Sequence, residues 1–156
     1  MTALPWVYHD GGRGTAPGHG GATDTGDCVV RAVAVALDAP YEAVYAALTA
    51  LQKEWCHTSR SKHARAMRES GRWHARHGVH REVIHRHLSS LGWVWTPTMG
   101  IGSGTTVHLA EGELPGGRLV ANLSKHVCAV VDGVVHDTHD PCRDGTRCVY
   151  GYWLAP

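Results

Sequence analysis

Cys28 stands where a Gly-rich polar stretch gives way to an apolar run, in TDTGDCVVRAVAVAL. Thiol chemistry requires the thiolate, and an unperturbed cysteine is mostly protonated at neutral pH. Two devices lower a thiol's pKa. One is the first turn of a helix, through its unpaired N–H groups and dipole. The other is an adjacent imidazole, which pairs with the thiolate and later returns a proton to a leaving group. A carboxylate on that imidazole fixes its tautomer. Both partners occur in SKHVCAVVDGVVHDTHDP, residues 124–141.

Asp132-Gly133 between β-branched flanks reads as a two-residue hairpin turn. Val131 then faces Val134, Cys128 faces Asp137 and His126 faces His139. Directly opposed residues share one face of a hairpin, so these four polar residues point the same way. Asp137 is also a diagonal neighbour of His126. His136 and Asp140 fall on the other face, unless a bulge or an odd loop length shifts the register. The candidate catalytic residues are therefore Cys28, His126 and Asp137, in that chain order. His139 is a rival third member, but it cannot act as an anion.

The elements that must hold these residues can be read from hydrophobic periodicity. A first helix is expected from about Gly26 to Leu37, on Val29, Val33 and Leu37. Asp24 or Thr25 can cap it, and Asp27 adds a favourable charge to its first turn. A second helix opens near Pro40 and carries an apolar stripe of Val44, Leu48, Leu51 and Trp55. Residues 56–77 break the pattern and read as a basic loop between helices. There, Arg60, Lys62, Arg65, Arg68, Arg72 and Arg76 face only Glu69 in opposition. A third helix is expected over Val79 to Leu91, ended by Gly92. From Trp93 the period becomes strand-like, with short runs WVW, TTVHL, RLVANL, HVCAVV, VVHDT and RCVYGYW. Helices followed by an antiparallel sheet give the α+β class. The organisation expected is a Gly-rich flexible arm over residues 1–23 and one domain over 24–156.

Composition narrows the function. The chain has 156 residues and a formal net charge of +1, which gives no global case for nucleic acid. No apolar run is long enough to span a bilayer, and the start does not read as a signal peptide. A cytoplasmic protein with no membrane partner is expected. The five cysteines are odd in number and irregularly spaced, unlike a disulfide framework.

GDCVVRAVAVAL resembles the nucleophile helix of the papain-like cysteine peptidase superfamily in its broad sense. The segment SKHVCAVVDGVVHDTHDP resembles the histidine–hairpin–aspartate unit of the transglutaminase-like and bacteriocin-processing branches. A closer likeness, covering most of the chain, is to a group of bacterial and phage proteins. They carry a similar DC-VRA helix, a GWVWTPTMGIGSG-like segment and a DGVVHDTHDP-like tail running into GTRCVYGYW. The resemblance implies a papain-like fold, and a cysteine-dependent hydrolase that acts on a peptide, isopeptide or other amide bond through Cys28, His126 and Asp137. It implies no cofactor and a peptide or protein substrate. Papain-type enzymes often place a glutamine about six residues before the cysteine, to bind the oxyanion. Here that position is Ala22, so only the backbone N–H of Cys28 is assigned as a donor.

Three other readings stand beside this one. The first is a thiol acyltransferase, which would share the acyl-enzyme and differ in the acceptor. The second is a non-catalytic binding or regulatory domain of the same fold. The third is a zinc-dependent nucleic-acid binder that uses the thirteen histidines. WHARHGVHREVIHRHL is rich in histidine, yet neither HExxH nor paired CxxC occurs, so no metal site is expected. Cys142 and Cys148 could pair, or bind metal with Cys56 and His57. In a reducing compartment they are expected as free thiols. The basic stretch is expected as a solvated face.

Overall fold

The computed structural model describes residues 1–20 and 26–156. The run after Cys28 folds as α1 (Cys28–Leu37), and its apolar residues leave only a narrow part of its surface unburied. The expected caps Asp24 and Thr25 lie outside the described residues, as does Ala22. The N-cap is Asp27, whose side chain makes no capping hydrogen bond. Pro40 precedes α2 (Tyr41–Thr58), where Val44, Leu48 and Trp55 are buried as expected and Leu51 is half-buried.

Among the described residues, three α-helices join α1, one more than the periodicity predicts. The expected loop at 56–77 holds the end of α2, then α3 (Lys62–Ser70), then a single 3-10 turn. The Ser61 hydroxyl accepts the Ala64 N–H to cap α3, and Gly71, at φ 70°, ends it. Only Ala64 and Met67 reach the core, so the apolar stripe is one pair wide and leaves little periodic signal. Part of the basic run is structural, since Arg68 donates to the Cys56 carbonyl near the end of α2. The last helix is α4 (Arg81–Ser90).

Among the described residues, eight strands complete the mixed α+β fold. They are β1 (Trp6–Tyr8), β2 (Val94–Pro97), β3 (Met99–Gly100), β4 (Gly104–Thr105), β5 (Arg118–Leu123), β6 (His126–Val131), β7 (Val134–Asp137) and β8 (Gly151–Leu154). Six form one sheet in the order β1-β7-β6-β5-β8-β2, antiparallel except for β1 against β7, and β3 pairs with β4 separately. The central strands β5 and β6 are buried on both faces, and the edge strand β1 is exposed. Val120, Ala129 and Trp153 pack under the helices, while Leu119, Val130 and Val135 pack under the loops of the opposite side. Burial of both faces explains why β5 and β6 read as continuous apolar runs. TTVHL forms no strand of its own; His108 makes an isolated bridge to Cys148. Among the described residues, no helix is long and apolar enough to cross a membrane.

The amino-terminal segment differs most from expectation. Its described part packs on the domain instead of forming a free arm. β1 pairs in parallel with β7, and the His9 N–H donates to the Asp137 carbonyl. The Asp10 carboxylate then accepts the Gly12 and Gly14 N–H groups. Gly11, at φ 71°, passes so close to α1 that a Cβ there would sit 2.7 Å from the Arg31 Cα. The glycines that suggested looseness permit a tight turn and a close approach.

This contact is open to a direct comparison. Gly11 and Gly18 both have left-handed backbone, but a Cβ at Gly18 would meet nothing within 4 Å. Alanine at either position costs about 1 kcal/mol for the backbone alone. Urea unfolding should show a larger loss for Gly11→Ala than for Gly18→Ala.

Candidate active site

The hairpin forms in the expected register. Asp132 and Gly133 both have positive φ, and Val131 pairs with Val134. His126 therefore opens β6 and Asp137 closes β7, and the two side chains meet: His126 Nε2 lies 2.5 Å from Asp137 Oδ2. The other carboxylate oxygen accepts the Thr138 N–H at 2.7 Å. Cys28 is the first residue of α1, half-buried, and it lines one cleft with His126, whose proximity acts on the thiol's acidity. Nε2 of that ring is taken by Asp137. His136 falls on the other face, 5.8 Å from the His9 ring. The structure thus brings together Cys28, His126 and Asp137.

The electrostatics of the three are mutually consistent. Burial opposes ionisation of Cys28, but His126, the Val127 N–H and Arg31 outweigh it, and the thiol pKa falls. Burial also disfavours the imidazolium, yet Asp137 and Cys28 together raise His126 to about 9. Asp137 is buried too, and its bond to His126 still holds its carboxyl below the usual carboxylate range. Each shift favours the charged form of its group: thiolate, imidazolium and carboxylate.

His139 does not displace Asp137. It is exposed, with Nδ1 4.0 Å from Asp137 Oδ1. Its ring nevertheless lies 4.9 Å from that of His126. Ligand atoms of His126, Asp137 and His139 all fall within 4.8 Å of one another, a set able to hold a metal ion. Such an ion would compete with the histidine–aspartate bond. The other cysteines are free thiols. Burial pushes Cys128, Cys142 and Cys56 upward, opposite to Cys28.

A group that the sequence reading missed supports the set. Asp27 is fully buried and forms a close ion pair with Arg31, one turn along α1. The Arg13 guanidinium and the Tyr41 hydroxyl also donate to it, at 3.1 and 2.7 Å. Burial and the adjacent carboxylate push the Tyr41 hydroxyl upward, so it stays a donor. Arg31 reaches past Asp27 to within 3.7 Å of Asp137 Oδ1. Charges therefore alternate from Asp27 through Arg31, Asp137 and His126 to Cys28. The available signal was a lone arginine inside VVRAVAVAL, a place where an unpaired charge is too costly to keep. Asp27 serves these side chains instead of capping the first turn.

The thiol opens on a cleft of about 220 Å³, lined by Cys28, Val79, Arg81, Asn122, Lys125 and His126 among others. No family model, curated protein or solved structure matches the chain.

Two outcomes follow. Arg31→Met removes the cation between two buried carboxylates and should cost about 3–5 kcal/mol in denaturant unfolding. The pH profile of stability should also carry signatures of the pair. A depressed carboxyl stabilises above its unfolded pKa, and this is lost as pH falls through the lower folded value. Asp137→Asn should therefore flatten the acid limb. His126 is raised, so its contribution is complete below about 6.5 and fades as pH rises through about 9. His126→Gln should flatten the limb between those values.

Proposed function

We propose that the protein is a papain-like thiol hydrolase acting on a peptide, isopeptide or other amide bond. The observation that carries this reading is the pairing of a thiol of lowered pKa with an imidazole raised to about 9 by a buried carboxylate. A structural cysteine–histidine contact does not need both shifts, whereas nucleophilic catalysis uses both.

In this reading the Cys28 thiolate attacks the carbonyl carbon, forming an S–C bond and placing the negative charge on oxygen. The Cys28 N–H belongs to the first turn of α1 and has no intrahelical partner, so it can donate to that oxyanion. Asn122, on the cleft wall, is the candidate for the second donor. His126 then gives its proton to the amine as the C–N bond breaks, leaving a thioester. Neutral His126 next takes a proton from water, and the resulting hydroxide equivalent cleaves the thioester. Acid is released, and the thiolate and imidazolium are restored. Asp137 orients the ring throughout and is not itself protonated. An amine in place of water would make the same site a transferase.

The test is the pH dependence of alkylation at each cysteine, mapped by mass spectrometry. Cys28 should react below the ordinary thiol range of about 8.5, and ahead of Cys56, Cys128 and Cys142. His126→Ala should move its titration upward. An unreactive Cys28, or the same titration in both proteins, would overturn the hydrolase reading in favour of a binding domain. Turnover of any amide substrate should fall above about 9, where His126 loses its proton.

A further inference from the structure

Among the described residues, the formally charged side chains on the cleft walls, Arg81 and Lys125, are both basic. Arg81 enters from the start of α4 and Lys125 from the turn between β5 and β6, and both are exposed. Among the described residues, no carboxylate lines the cleft. Asp137 lies behind the imidazole, with both oxygens engaged. Arg81 also borders a second, larger hollow of about 650 Å³ with Arg86, Trp95 and Glu82. The Arg81 guanidinium lies over the Trp95 ring at 4.7 Å, which fixes the plane of its N–H fork. Glu82, the one acid there, already accepts from the Trp55 indole N–H at 2.9 Å. Among the described residues, no ion pair involves Arg81, Arg86 or Lys125.

Two basic residues from separate elements thus line the cleft of one thiol, and neither forms an ion pair among the described residues. Stacking on Trp95 orders Arg81 before any ligand arrives. An oriented guanidinium suits a planar carboxylate held by two parallel hydrogen bonds. A positive cleft with low-dielectric walls also draws anions toward the thiol.

We infer that this cleft selects a substrate carrying a carboxylate close to the carbonyl that Cys28 attacks, with Arg81 as the principal contact and Lys125 opposite it. This rests on the hydrolase reading for the attack itself, but the charge preference can be measured without it. The carboxylate could be an acidic side chain or a chain-terminal group, which share the same recognition chemistry.

The experiment uses three alkylating reagents of matched size on the full chain at low ionic strength. N-iodoacetyl-glutamate α-amide carries a side-chain carboxylate. N-iodoacetyl-glutamine as the free acid carries a terminal one. N-iodoacetyl-glutamine α-amide is neutral. All three meet the same sulfur, so the ratio of rates at Cys28 cancels any change in thiol pKa. Wild type should alkylate at least one acidic reagent about five-fold faster than the neutral one, and the faster of the two identifies the source of the carboxylate. Arg81→Gln should bring that ratio close to one, Lys125→Gln should reduce it in part, and added salt should erode it. A wild-type ratio near one, or a ratio unmoved by Arg81→Gln, would overturn the inference. The measurement is repeated above pH 9, where any thiol reacts. A Cys28 of ordinary acidity would sink the hydrolase reading and still report the charge preference.

Discussion

The ion pair between Asp27 and Arg31 sets the frame for everything near the thiol. Two opposite charges at i and i+4 on a helix commonly lie on its surface and contribute little. Here the aspartate is fully buried and the arginine nearly so. Burying such a pair is costly, and further polar partners offset that cost. Arg13 and Tyr41 complete the aspartate, and Asp137 lies within reach of the arginine, whose Nε has no hydrogen bond among the described residues. These contacts tie the start of α1, the amino-terminal turn, α2 and the end of β7 into one electrostatic unit. The thiol's acidity is a property of that unit and not of Cys28 alone.

The hairpin supplies the other constraint. A two-residue turn leaves no freedom in register, and the period of two leaves none in facing. Once Asp132 and Gly133 take the turn, His126 and Asp137 must project from the same face at the open end. α1 packs across β6 and β5, which brings its first residue to that end. Flat burial on both sides of β5 and β6 then holds the imidazole in place, since either strand could shift only by disrupting two packed layers.

Much of this was legible in the sequence, for reasons that differ by element. α1, α2 and α4 announce themselves through broad apolar stripes. The Asp132-Gly133 turn is a strong local signal, and it carried the register of His126 and Asp137 with it. α3 stayed hidden because the apolar residues it packs on the core are only Ala64 and Met67 among the described residues. The association of β1 with β7 stayed hidden because a three-residue exposed strand between Pro5 and the His9-Asp10-Gly11 turn has no pattern of its own. Arg31 was visible as an oddity, but its partners Arg13, Tyr41 and Asp137 come from distant parts of the chain. Long-range pairing of charges leaves no periodic trace. Local rules could therefore nominate the three reactive residues and could not foresee what holds them.

The parallel pairing of β1 with β7 joins residue 6 to residue 135. Contacts across so much intervening chain form late, because the loop-closure entropy must be met before they add anything. During synthesis, Cys28 leaves the ribosome long before β7 exists, so the nascent chain carries an ordinary thiol for most of its elongation. Its acidity appears only when the hairpin closes against α1 and the early segment finds its edge. The surroundings that lower the Cys28 pKa therefore exist only once distant parts of the chain have met.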